Sequence, residues 1–176
     1  MADSLQTLVC PACGKEMKKI FVPDAGVNVD ICVDGCGGIY FDNREFKKFD
    51  ENAENIDEIL EALEGKTFQE VDGSLLRHCP VCNAKMVKNF SSARGEVMID
   101  ECYACGGKFL DNNELQKIRA EFETEAERAE ATMAELYKTV GVELRQLEEE
   151  RRMADAKRTP LNRLFKSVIY GMKTNI

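Results

Sequence analysis

No apolar run in this chain of 176 residues approaches the ~20 residues that span a bilayer. The opening stretch, MADSLQTLVC, has an acid where a secretory signal is basic, and no apolar core follows it. The expected location is therefore cytoplasmic, where thiols stay reduced. Positive charge is short: 24 Lys and Arg stand against 32 Asp and Glu, a net charge of −8. That balance disfavours non-specific attraction to nucleic acid or anionic lipid for the whole molecule. Also missing are a nucleophile–base pair, an open metal site and a phosphate-binding loop, so an enzyme is the least favoured class.

What the chain does have is eight cysteines, and in a reducing compartment they call for a metal before disulfides. They fall in an internal repeat. Cys10, Pro11, Cys13, Met17, Lys19, Phe21 and Gly26 recur as Cys79, Pro80, Cys82, Met86, Lys88, Phe90 and Gly95. Asp30 and Cys32 then match Asp100 and Cys102, and CGGIYFDNRE at 36–45 matches CGGKFLDNNE at 105–114. Two copies are too few for a solenoid, so each copy is expected to be a folding unit with its own staple.

The spacing in copy one is Cys10-x2-Cys13-x18-Cys32-x3-Cys36; in copy two it is Cys79-x2-Cys82-x19-Cys102-x2-Cys105. Close pairs separated by such an arm are the pattern of a tetrahedral four-cysteine zinc site. Each pair can turn both sulfurs toward one ion, and the arm is long enough for a hairpin that brings the second pair back. Modules of ~35 residues bury too little apolar surface to fold alone. A structural zinc adds ~10–16 kcal/mol of apparent folding free energy. Four thiolates also close the coordination shell, which points to structural rather than catalytic zinc. Disulfides and a thioredoxin-like redox pair fit less well, since no secretion signal and no βαβ pattern are present. An iron–sulfur or other soft-metal site would use the same ligands and stays a rival. The extra residue between Cys32 and Cys36 is expected to loosen the first site. His78, the only histidine, would compete with a complete ligand set and is expected to be a partly exposed strand residue.

The glycines after the knuckle cysteines (Gly14, Gly37, Gly38, Gly106 and Gly107) suit positive φ and amides aimed at the sulfurs, with Asn83 in the place of Gly14 in copy two. Asp42 with Glu45, and Asp111 with Glu114, read as capping boxes at helix starts rather than as catalytic carboxylate pairs. Tyr40 and Phe41, and Phe109 and Leu110, would anchor each helix start on its own hairpin. A short acidic helix is expected at about 54–64, stopped by Gly65. From Leu115 to Leu144 apolar residues step by three, four and four, an 11-residue period that predicts one long helix with a kink or turn at Gly141. Thr159 and Pro160 read as the start of a separate final helix. That tail is basic: from Lys157 to the end the chain holds Lys157, Arg158, Arg163, Lys166 and Lys173 and no acid.

CPACG…DICVDGCGGIYFDNREF and CPVCN…DECYACGGKFLDNNEL each resemble the transcription factor zinc-finger family, the TFIIB-type zinc ribbon. Tyr40 and Phe109 stand where that family usually has tryptophan. The resemblance implies Cys10, Cys13, Cys32 and Cys36 as one ligand set and Cys79, Cys82, Cys102 and Cys105 as the other, with two Zn2+ per chain. It also suggests a link to transcription, although fold does not dictate function.

The sequence thus predicts a small zinc-stapled α+β protein: two zinc ribbons, each a β-hairpin plus a short helix, and a long C-terminal helical region. The expected segments are ribbon one at 8–50, an acidic helix and linker at 51–77, ribbon two at 78–118, a long helix or helical hairpin at 112–158 and a basic amphipathic helix at 159–176. The expected role is a non-enzymatic adaptor binding a protein partner. A nucleic-acid-binding regulator is opposed by charge, and a redox-sensing zinc protein is a third reading. The C-terminal helix is a candidate for a partner or a membrane surface, and the long helix for self-association.

Overall fold

The computed structural model describes residues 6–51, 53–92 and 94–171, with side chains as far as residue 154 except that of 144. It forms two compact units, Met1–Ala131 and Thr132–Ile176. In the first unit each copy contributes an antiparallel three-stranded piece: β1 (Lys18–Val22), β2 (Val27–Ile31) and β3 (Ile39–Phe41), then β4 (Val87–Phe90), β5 (Met98–Glu101) and β6 (Lys108–Leu110). The copies are not separate folding units, contrary to the expectation from sequence. β3 and β6 pair antiparallel, giving one six-stranded sheet in the order β1-β2-β3-β6-β5-β4. The register at this joint pairs Ile39 with Leu110, Tyr40 with Phe109 and Phe41 with Lys108. Ile39 is the counterpart of Lys108, Tyr40 of Phe109, and Phe41 of Leu110. The joint is therefore self-complementary, like the interface of a two-fold dimer, but built within one chain.

Strand alternation sorts the side chains onto two faces. One face carries Val22, Val29, Ile31, Ile39, Phe41, Ile99 and Leu110, all buried. It packs with Phe46 and Phe49, with Ile59 and Leu63 of α1 (Asp57–Leu63), and with Leu115 and Ile118 of α2 (Glu114–Ala120) in one core drawn from both copies. The other face holds Tyr40, Phe109 and every cysteine but Cys82 in a second core. Guanidinium groups lock the copies together at the ends of the helical layer. Arg119 of copy two donates to the carbonyl oxygens of Phe49 at 2.8 Å and Glu54 at 2.7 Å, and Arg128 lies 2.8 Å from the buried Asp50.

The short acidic helix forms as expected: α1 starts after Asn55, whose side chain accepts from the Asp57 amide at 2.9 Å, and Gly65 follows its end at φ +68°. The capping boxes form only by half. Glu45 accepts from the Asp42 amide at 3.1 Å and Glu114 from the Asp111 amide at 2.7 Å. The reciprocal bond from the aspartate is not what these carboxylates do, since the N-cap of α2 is Asn113 at φ 66°, without a side-chain cap bond. In copy one the helix shrinks to a 3-10 turn, Phe46–Lys48.

The long periodic helix begins near residue 112, as α2, but is not continuous. It breaks after α2, and α3 runs from Glu125 to Gly171. The interruption has a local cause: Thr124 accepts from the Glu127 amide through its hydroxyl at 3.2 Å, while Glu127 accepts from the Glu123 amide at 3.1 Å. This Thr-x-x-Glu cap starts a new helix. The same turn seats Phe122 against the guanidinium of Arg94, 4.2 Å from the ring centre. Farther on, α3 passes Gly141 without a turn and continues through Thr159 and Pro160, so the final helix is not separate. Proline removes one hydrogen bond from a helix interior while the backbone on both sides stays helical. The part of the expected tail helix beyond 171 lies outside the described residues. Among the described residues, no helix is long and apolar enough to cross a membrane.

Candidate metal centres

Each centre is assembled from two knuckles. In copy one, the Gly14 amide donates to the Cys10 carbonyl at 2.9 Å and the Gly37 amide to the Cys32 carbonyl at 3.0 Å. In copy two the same bonds run from Asn83 to Cys79 at 2.9 Å and from Gly106 to Cys102 at 2.7 Å. Gly14, Gly37, Gly106 and Asn83 all have positive φ, as the turn chemistry requires. The hairpin then brings the knuckles together. Cys10, Cys13, Cys32 and Cys36 place their sulfurs within 4.8 Å of one another, and so do Cys79, Cys82, Cys102 and Cys105.

The closest contacts are 3.5 Å for Cys10–Cys36, 3.3 Å for Cys13–Cys32, 3.5 Å for Cys79–Cys105 and 3.4 Å for Cys82–Cys102. A tetrahedral zinc with ~2.3 Å bonds sets sulfurs ~3.8 Å apart, so small outward shifts admit the ion. Four soft thiolates in this geometry suit zinc, and both predicted ligand sets come together without exception. When bound, zinc supplies a structural cross-link and leaves no coordination position for a substrate. His78 is exposed, belongs to neither cluster, and forms an isolated bridge with Lys85.

The protons divide unevenly within each cluster. A hydrogen bond with Cys36, together with burial, pushes the Cys10 thiol well above the ordinary range, and the same bond holds Cys36 down at about 5. Burial pushes Cys32 up to about 12. In the second cluster burial raises Cys102 and Cys105. Burial acts upward on Cys79 as well, but hydrogen bonds from the Tyr40 hydroxyl, the Cys82 and Val81 amides and Cys105 outweigh it, and Cys79 falls. The Gly38 amide stabilises the Cys36 thiolate and the Gly107 amide that of Cys105, as expected of knuckle amides.

The extra residue in the first knuckle does not open it. Gly35 folds against the cluster so closely that a Cβ there would stand 2.6 Å from the Cys32 sulfur and 2.8 Å from that of Cys13. Three thiols of the first centre are buried, whereas Cys82 of the second is exposed. The more open centre is thus the one with the regular spacing.

Three further residues belong to these centres, and the repeat alone could not assign them. Tyr40 does not anchor its own ribbon. Across the β3–β6 joint its hydroxyl lies 3.4 Å from the Cys79 sulfur and 3.7 Å from that of Cys105. Phe109 crosses the other way and lies over Gly38. Gly38 and Gly107 are therefore glycine because of close approach rather than positive φ. A Cβ at 38 would enter the Phe109 ring, and one at 107 would overlap the Tyr40 hydroxyl. Burial, with the thiolates beside it, pushes Tyr40 ionisation far above the usual phenol range, so the hydroxyl stays a proton donor. The third residue is Arg77, 3% exposed, 2.8 Å from Asp100 and 2.8 Å from Asp111, and stacked 4.9 Å above Phe109. It takes up the Asp111 carboxylate that a capping box would have used. Its counterpart in copy one is the buried Leu8.

Residues 9–51 and 78–121 each match the family model described as transcription factor zinc-finger. No curated protein and no solved structure gives a significant match. Over both segments the chain is similar to the transcription factor zinc-finger family, in two tandem copies that each enclose one four-cysteine cluster.

Proposed function

We propose that this chain is a non-enzymatic regulatory adaptor, associated with transcription, that acts by binding another protein. The observation that carries the reading is that two closed four-cysteine centres are welded into one sheet through β3 and β6. Such centres use metal to hold shape rather than to do chemistry, and the joint makes the two ribbons one rigid platform. Apolar side chains remain exposed on it, among them Phe21 and Phe90 at equivalent positions, and Tyr103. The net charge of −8 grows more negative when each centre becomes Zn(Cys)4, with a formal charge of −2, which favours a protein over a nucleic acid. Affinity capture with full-length protein, and with a variant lacking 159–176, tests this when paired with salt-titrated DNA and RNA binding. A stoichiometric protein partner with no nucleic-acid affinity at physiological salt is the expected result. Salt-dependent DNA or RNA binding without a protein partner would overturn it.

Exposure of Cys82 favours one second reading, redox sensing through the second centre. An accessible ligand thiolate is open to oxidation. Peroxide would then release one zinc per chain, with Cys82 oxidised first and the metal regained on reduction. Retention of both ions under peroxide would dismiss this reading.

A further inference from the structure

The second compact unit carries a helical stretch on which apolar side chains described before residue 155 are exposed, among them Met133 at 46%, Tyr137 at 71%, Val140 at 40% and Leu147 at 57%. These four lie on a seven-residue repeat. Counted from Met133 by four and three alternately, the positions are apolar up to Leu147 and again from Leu161 to Val168, with Arg151 and Arg158 between. A strict 3.5-residue period is the seam of a coiled coil rather than the face of a solitary helix. Backbone helix covers its whole length, about 54 Å at 1.5 Å per residue. A helix with an unburied seam gains little from propensity alone and is stabilised by packing.

Charge decides what covers the seam. Residues 132–150 carry five acids and two bases, whereas 151–171 carry six bases and one acid. A parallel pair would set the acidic half against the acidic half, and each seam arginine against itself. An antiparallel pair sets acidic against basic at both ends. With residue numbers across the seam summing to about 305, Leu144 meets Leu161 and Tyr137 meets Val168. Arg158 then faces Leu147, Arg151 faces Ala154, and Glu150 lies beside Lys157. Neither seam arginine, Arg151 or Arg158, faces an arginine. We propose that α3 dimerises with a second copy of this chain as an antiparallel coiled coil centred near residues 152–153.

The test uses full-length, zinc-loaded protein. Sedimentation equilibrium should give twice the chain mass of 19.8 kDa, with the dimer weakening as salt rises. Unlabelled and 15N-labelled chains are then mixed and treated with an amine cross-linker. The antiparallel register puts Lys138 opposite Lys166, so mixed-isotope Lys138–Lys166 links should dominate. In a parallel pair these residues are about 42 Å apart along the axis, and Lys138–Lys138 and Lys166–Lys166 links would replace them. Leu147→Glu, which buries a charge in the seam, should weaken association roughly 100-fold while both zinc ions stay bound. A monomer at tens of micromolar, self-links in place of Lys138–Lys166, or a dimer indifferent to Leu147→Glu would each overturn the proposal.

Discussion

Replacing Tyr40 by Phe removes one oxygen atom from copy one and is expected to be felt at the metal of copy two. The ring stays, so the contact over Gly107 and the pairing of Tyr40 with Phe109 survive. What is lost is a donor 3.4 Å from Cys79 and 3.7 Å from Cys105. A hydrogen bond to a charged acceptor contributes about 1.5–3 kcal/mol. At about 2 kcal/mol, zinc affinity at the second centre falls ~30-fold, within the 10–100-fold range typical of groups that support metal ligands. The first centre has Phe109 in the corresponding place and no hydroxyl to lose, so its affinity should be unchanged. Competition against a chromophoric chelator measures both affinities. Alkylation of released thiols, mapped by mass spectrometry, shows which centre empties. Wild-type protein should release its two ions over a narrower range than the variant, in which Cys79, Cys82, Cys102 and Cys105 are labelled first. Equal loosening of both centres, or of neither, would refute the argument that the copies exchange support across the joint.

Gly107→Ala tests the same joint by crowding: its Cβ overlaps the Tyr40 hydroxyl, and overpacking of about 1–3 kcal/mol should lower the midpoint of thermal unfolding of the zinc-loaded protein. Arg77→Leu imports the copy-one residue, Leu8, but leaves Asp111 without its guanidinium partner and Asp100 with only Lys88 at 3.0 Å. Breaking a buried pair outright costs about 3–5 kcal/mol; with Lys88 still present, a loss of about 2 kcal/mol is expected in denaturant titration. Zinc loading should release at least two protons per centre at neutral pH, because Cys10 and Cys32, and likewise Cys102 and Cys105, are raised above the ordinary thiol value and are protonated in the metal-free form. Cys36, held at about 5, contributes almost none. Affinity therefore rises with pH and is lost as pH falls; calorimetry in buffers of different ionisation enthalpy counts the protons, and fewer than two per zinc would contradict these proton positions.

The ligands were legible because their information is local. A knuckle needs two cysteines a fixed distance apart and a residue tolerant of positive φ, and both appear as adjacent letters, down to Asn83 in the place of Gly14. The short acidic helix and its glycine stop were legible for the same reason. Where two local signals competed, the reading failed. The apolar period from Leu115 onward runs through residues 121–124, but Thr124 and Glu127 form a cap there and divide the helix. Asp111 has the spacing of a capping residue, yet the buried Arg77, 34 residues earlier in the chain, takes its carboxylate.

By itself, then, the sequence determined two four-cysteine centres, the hairpins that close them and the acidity of the whole. Only the tertiary structure decided that the copies share one sheet. A repeat reports that two modules are alike; it carries no mark of which strand edges meet, because β3 and β6 could each have faced solvent with the same residues. Once Ile39–Phe41 and Lys108–Leu110 pair, the aromatic of each copy must lie over the glycine of the other. Tyr40, one ring among nine Phe and four Tyr in the sequence, thereby becomes the hydroxyl that supports the second metal centre. That role depends on a contact across 39 and 65 residues of chain, and it exists only because burial excludes water from the joint and leaves the thiolates as the hydroxyl's partners.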